Sequence, residues 1–145
     1  MLILFFVLAA MSSLAPGRDH IDAGTAIARV VMSEPPLFKD DPDRLRTAAL
    51  IVAIGFRESS LRNDVKSKTD DHCMMQINRR PDLALDVEKC VRVAVSMLRE
   101  SMRMCPEYPI AFYASGPGAC ENARAQRISR DRMAIAARLV RTVKL

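Results

Sequence analysis

The stretch from Ala48 to Asn78, AALIVAIGFRESSLRNDVKSKTDDHCMMQIN, decides how this 145-residue chain is read. Its first part, Ala48 to Ile54 with Phe56, is apolar on nearly every side, the pattern of a helix buried all round rather than one lying on a surface. The apolar run ends at Arg57 and Glu58, followed by Ser59 and Ser60. A glutamate placed where a buried helix emerges loses solvation for its charged form, so its pKa should rise towards the working pH, as a general acid requires. Glu58 is therefore a candidate acid, set against the plainer alternative of a solvated residue in the last turn of a helix.

Ser59 follows the acid directly, Ser67 comes nine residues after it, and Met75-Gln76-Ile77-Asn78 puts Gln76 eighteen residues beyond it. In this order the residues resemble the E-S, S and G-L-M-Q-I blocks of the soluble lytic transglycosylases and their goose-type lysozyme relatives. Downstream, Cys90-Val91 with Ala94, Met97 and Leu98 resembles that family's N-I-x-x-G-x-x-Y-L helix, and Tyr113 to Gly118, YASGPG, resembles its Y-N-A-G-P-G. The blocks cover Ile51 to Gly118, nearly half of the chain. The chain also departs from the pattern. Asp70 and Cys73 stand where the family has the glycines before and within G-L-M-Q, Cys90 replaces the helix asparagine, Ala94 the helix glycine, and Ala114 the asparagine after the tyrosine.

The resemblance implies a mainly α-helical, lysozyme-like domain with a short loop or strand region beside the catalytic helix. It implies a peptidoglycan lytic transglycosylase that cleaves the β-1,4 bond between N-acetylmuramic acid and N-acetylglucosamine, with Glu58 acting as acid and then as base and no metal or organic cofactor. Ser59 and Ser67 would orient the carboxyl group or the substrate acetamido group, Tyr113 would hydrogen-bond near the acid, and Gln76 would contact sugar. Asn78 would either do the same or satisfy local backbone. The rival within this fold is a lysozyme-type hydrolase, which needs a second carboxylate; Asp70 and Asp71, twelve and thirteen residues after Glu58, are the candidates. A rival of another class is a non-catalytic wall-binding protein that keeps the fold.

The length suits one domain, and the composition, half apolar but 5% aromatic with no Trp, favours helices over strands. Met1 to Ala15 reads as the core of a secretory signal peptide or an N-terminal anchor, with Ser13 and Ala15 in A-x-A-like spacing. No Lys or Arg precedes the apolar run and Pro16 follows it, so a buried first helix is the alternative. Residues 16–145 then form the transglycosylase domain, exported to the periplasm or beyond, monomeric, with any membrane contact made through the N-terminal segment.

Around the central segment, His20 to Met32 carries Ile21, Ile27, Ala28 and Val31 on one stripe, capped by Asp19 or Asp22, and Gly24 should let this helix approach the central one closely. Asp41 should cap the central helix, with Pro42 at its first position and Glu58 at its end. Asp86 should cap a helix whose stripe of Val87, Cys90, Val91, Ala94, Met97 and Leu98 is core. Glu121 to Leu145 reads as one last helix, with seven cations against two acids, a local +5 that equals the formal net charge of the whole chain. Such a face suits polyanionic wall material as well as nucleic acid or an acidic membrane; with the resemblance pointing to the wall, no nucleic-acid partner is expected.

Four cysteines, Cys73, Cys90, Cys105 and Cys120, all lie beyond the N-terminal apolar segment. An even count behind an export signal suggests two disulfides, with three pairings open. Their spacings do not make a zinc set, and His20 and His72 supply no ligand cluster. A His72–Cys73 nucleophile pair is not expected either, because neighbours in sequence rarely face each other.

Overall fold

The computed structural model describes residues 1–144. The described elements run in the order α1 (Leu2–Leu14), α2 (Ile21–Ser33), α3 (Leu45–Ser59), β1 (Asp71–His72), β2 (Ile77–Asn78), α4 (Val87–Met104), α5 (Ala111–Ser115) and α6 (Ala123–Thr142), with 3-10 turns at Pro81–Leu85 and Ala119–Glu121. The domain is mainly helical, as a lysozyme-like domain should be. Helix α3 is buried continuously from Thr47 to Gly55, because α1, α2 and α6 all pack against it. Helix α4 covers α2, and α5 bridges α4 to α6.

The segment read as a signal peptide or anchor is the packed helix α1, whose Ile3, Phe6, Val7, Ala10 and Met11 face the core while Leu2 and Phe5 are exposed. No helix among the described residues is long and apolar enough to cross a membrane. Gly24 corrects one expectation. A Cβ there would lie 2.5 Å from Leu8 Cδ2 and 3.5 Å from Met11 Sδ, so the close approach is between α2 and α1 and not between α2 and the central helix. Ile21, expected on the buried stripe, is exposed at the first position of α2.

The central helix starts three residues later than expected. Pro42 lies before it, and Arg44 at its N-cap adopts φ +62, with its N–H bonded to the Asp41 carbonyl. Asp41 still caps the helix, but from outside: its buried carboxylate accepts the N–H groups of Arg46 and Thr47 at 3.0 and 2.8 Å and the Thr47 hydroxyl. An anion there satisfies two of the free donors of the first turn. At the other end, Asp86 caps α4 as expected, accepting the Lys89 N–H at 2.9 Å. The last helix begins at Ala123, capped by Asn122, and Glu121 falls in the preceding 3-10 turn; Leu145, assigned to this helix from the sequence, lies outside the described residues.

The cysteines pair Cys73–Cys90 and Cys105–Cys120, leaving no free thiol. The first ties the β1–β2 turn to α4, and the second joins the end of α4 to the 3-10 turn before α6.

Candidate active site

Glu58 emerges from the last turn of α3 into a cleft of about 390 Å³ lined by Ser67, Asp71, Gln76, Asn78, Met97, Tyr113 and Ala114. Three elements supply the walls. The β1–β2 hairpin, with Asp71 opposite Asn78 and His72 opposite Ile77, carries Asp71, Gln76 and Asn78. Helix α4 supplies Met97, which was read as core; it is exposed and turned towards the cleft. Helix α5 supplies Tyr113 and is suspended between two buried serines, Ser101 Oγ accepting the Tyr113 N–H and Ser129 Oγ the Ile110 N–H, at 2.9 and 3.0 Å. Gly116 at φ +67 ends α5 with a backbone that side chains rarely adopt, as the G-P-G reading anticipated.

Burial disfavours the Glu58 carboxylate and raises its pKa above the ordinary value. Arg132 on α6 opposes this, with Nη2 3.3 Å from Glu58 Oε1, and the Asp71 charge adds to the rise. Desolvation outweighs the ion pair, so Glu58 is biased towards its neutral, proton-donating form. Asp71 has the opposite character. Its partial burial would raise its pKa, but Ser67 Oγ, Thr69 Oγ1 and Asn78 Nδ2 donate to it at 2.6, 2.5 and 3.0 Å and hold it below the ordinary range. Tyr113 keeps its proton, pushed up by burial and by the Glu58 charge.

The other sequence-derived candidates divide. Ser67 and Asn78 reach the cleft but are committed to Asp71, and Asn78 also donates to Thr69 O at 2.8 Å. Gln76 Nε2 donates to Val65 O and Cys73 O at 3.0 and 2.8 Å, which fixes the amide at the cleft wall. The Tyr113 hydroxyl donates to Met75 O at 2.7 Å rather than to the acid. Ser59 is not brought into the cleft lining: it is buried, donating to Met74 O at 2.8 Å and Gly55 O at 3.1 Å, and so joins α3 to the hairpin. Asp70 is also outside the lining; His72 Nε2 lies 2.6 Å from its Oδ1, and that contact holds its carboxyl low. Asp70 and Cys73, at the positions matching family glycines, both adopt φ +64.

Sequence reasoning missed Arg132 and the pairing around it. Arg57 binds Asp131 with two bonds of 3.0 and 2.7 Å, and Arg132 Nη1 donates to Asp131 Oδ2 at 2.9 Å. The dipeptide Arg57-Glu58 on α3 thus faces Asp131-Arg132 on α6, each charge opposite its complement. The six arginines of α6 were visible, but nothing in the sequence said which one turned inward.

A larger hollow of about 720 Å³ lies beside the Cys105–Cys120 bridge, lined by Pro106, Glu107, Tyr108 and Gln126 among others. The smaller cleft, by contrast, joins two carboxyl groups driven apart in proton affinity, a pattern that acid–base chemistry uses.

A helical domain whose central buried helix delivers one glutamate to a polar cleft, with a small hairpin as its floor, belongs to the lysozyme-like class. Residues 44–135, more than half of the chain, match the transglycosylase SLT domain family, and the chain belongs to that family. Membership supports lytic transglycosylase activity on peptidoglycan in general. The chain matches no curated protein and no solved structure at a significant level.

Proposed function

We propose that the domain cleaves the β-1,4 bond between N-acetylmuramic acid and N-acetylglucosamine by the transglycosylase route, with Glu58 as the sole acid–base residue. The observation that carries this reading is the burial-raised proton affinity of a glutamate that nevertheless opens onto a cleft. Neutral Glu58 gives its proton to the glycosidic oxygen as the C1–O bond breaks and the bonding pair leaves with the N-acetylglucosamine hydroxyl. The Glu58 carboxylate then takes the proton of the muramyl 6-hydroxyl while O6 bonds to C1, which closes a 1,6-anhydro ring and restores the acid. Tyr113 and Met97 wall the bond off from solvent, and Gln76 offers its amide oxygen to sugar. Export to an oxidising compartment accords with the two disulfides.

A second reading is favoured by one observation: Asp71 lines the same cleft and is held ionised, as a hydrolase's second carboxylate would be. Mass spectrometry of the muropeptides released from purified peptidoglycan separates the two. Anhydro products, lighter by one water, support the transglycosylase; reducing ends support the hydrolase; no release of any product refutes both.

A further inference from the structure

Arg132 lies behind the acid rather than in the cleft lining. Its side chain is only 15% exposed, against 26% for Glu58, and both terminal nitrogens are occupied, one by Glu58 and one by Asp131. Its Nε is buried without a partner among the described residues. A buried donor left unmade is uncommon, and here it is the consequence of holding the guanidinium in the one orientation that serves both carboxylates. Asp131 is itself gripped by Arg57. The arginine is therefore fixed from the side away from the acid, which is what a positioning group needs.

We propose that Arg132 is a positioning residue for the wall-cleaving reaction, orienting the Glu58 carboxyl group and serving as its counter-ion at the moment the proton has been given to the glycosidic oxygen. The inference rests on the function proposed above. The charged or titratable groups placed around Glu58 among the described residues are Arg132 and Asp131 from α6, Arg57 from its own helix, Asp71 from β1 and the Tyr113 phenol from α5. Of these only Arg132 is a cation in hydrogen-bond contact with the acid. A buried cation there stabilises the carboxylate that forms on proton donation and steers its oxygen towards the bond being broken.

The test is Arg132→Gln beside Arg132→Lys, read by the pH profile of kcat/KM on purified peptidoglycan and by carbon NMR titration of the Glu58 carboxyl group in the free protein. Arg132→Gln should move the Glu58 titration and the alkaline limb of the profile together to higher pH, and lower kcat on the order of tenfold to a hundredfold, the worth of one charge-assisted hydrogen bond. Arg132→Lys should bring the titration back towards wild type. A folded Arg132→Gln protein whose Glu58 titrates as in wild type overturns the proposal. Should that variant not fold, the guanidinium nitrogen signals of Arg132 in the wild-type protein must follow the Glu58 titration and lose that transition in Glu58→Gln; signals without the transition overturn it equally. Cleavage by the wild type with an unmoved titration refutes the arginine's role alone, whereas a wild type that cleaves nothing refutes the reaction on which it rests.

Discussion

Glu58 and Asp71 line one cleft with opposed proton affinities, the first raised by burial and the second lowered by three hydrogen-bond donors. If Glu58 works alone, Asp71→Asn should cost less than about tenfold in rate and leave anhydro products, whereas loss of a true second carboxylate should approach the 10²–10⁴ worth of acid–base help. Asp70→Asn should be mild in either case, because Asp70 does not line the cleft. The measurement is initial turbidity clearing followed by product mass; a severe Asp71→Asn loss with reducing-end products in wild type would transfer the protein to the hydrolases.

Glu58→Gln should abolish cleavage, by roughly 10²–10⁴ or more, since the amide matches the shape but cannot give up and retrieve a proton. A variant that kept a third of wild-type clearing would remove Glu58 from the role.

The same substitution has a stability signature. Because the folded-state pKa of Glu58 is raised above its ordinary value of 4.5, its favourable contribution is fully present below that pH and is lost as pH rises through the folded value. Glu58→Gln lacks the loss, so its Tm relative to wild type should climb between acid and neutral pH. A Tm difference that stays flat across that window would show that the raised proton affinity is absent.

Ser59→Ala should damage the fold and spare the chemistry. Removing the hydroxyl leaves the buried Met74 carbonyl short of a donor, at a cost of about 1–3 kcal/mol. The expected result is a lower denaturation midpoint with KM unchanged at a temperature where the variant is folded; a raised KM without destabilisation would return Ser59 to the substrate.

Both disulfides should resist alkylation until reduced, giving an intact mass with no added thiol label. They close loops with sequence separations of 17 and 15, for which the chain-entropy account gives about 3 kcal/mol each. Four labelled cysteines in the unreduced protein would contradict the pairing.

The central helix and the placement of Glu58 at its end were legible because an all-apolar run has few places to go but the core, and a polar residue at its end must meet a boundary. The cap of α4 was legible for a similar local reason, since Asp86 needs only the next turn. The start of α3 was not, because Asp41 caps it across a left-handed Arg44 that no periodicity announces. The partners of Ser59 were not legible, because a hydroxyl in the last turn can point back along its own helix. Arg132 was invisible because it meets Glu58 across 74 residues, one cation among the many of α6.

Asp70 and Cys73 hold left-handed backbone at places where the matching family pattern has glycine. Glycine would accept that geometry freely but leave the chain more conformations to surrender on folding. The side chains found here invert both effects: each left-handed residue costs about 1–2 kcal/mol locally, while the bridge from Cys73 to Cys90 removes disordered states that a glycine would have permitted. Reduction leaves the local cost in place and cancels its compensation. The order of the hairpin that carries Asp71 and Gln76 therefore depends on the oxidation state of its surroundings.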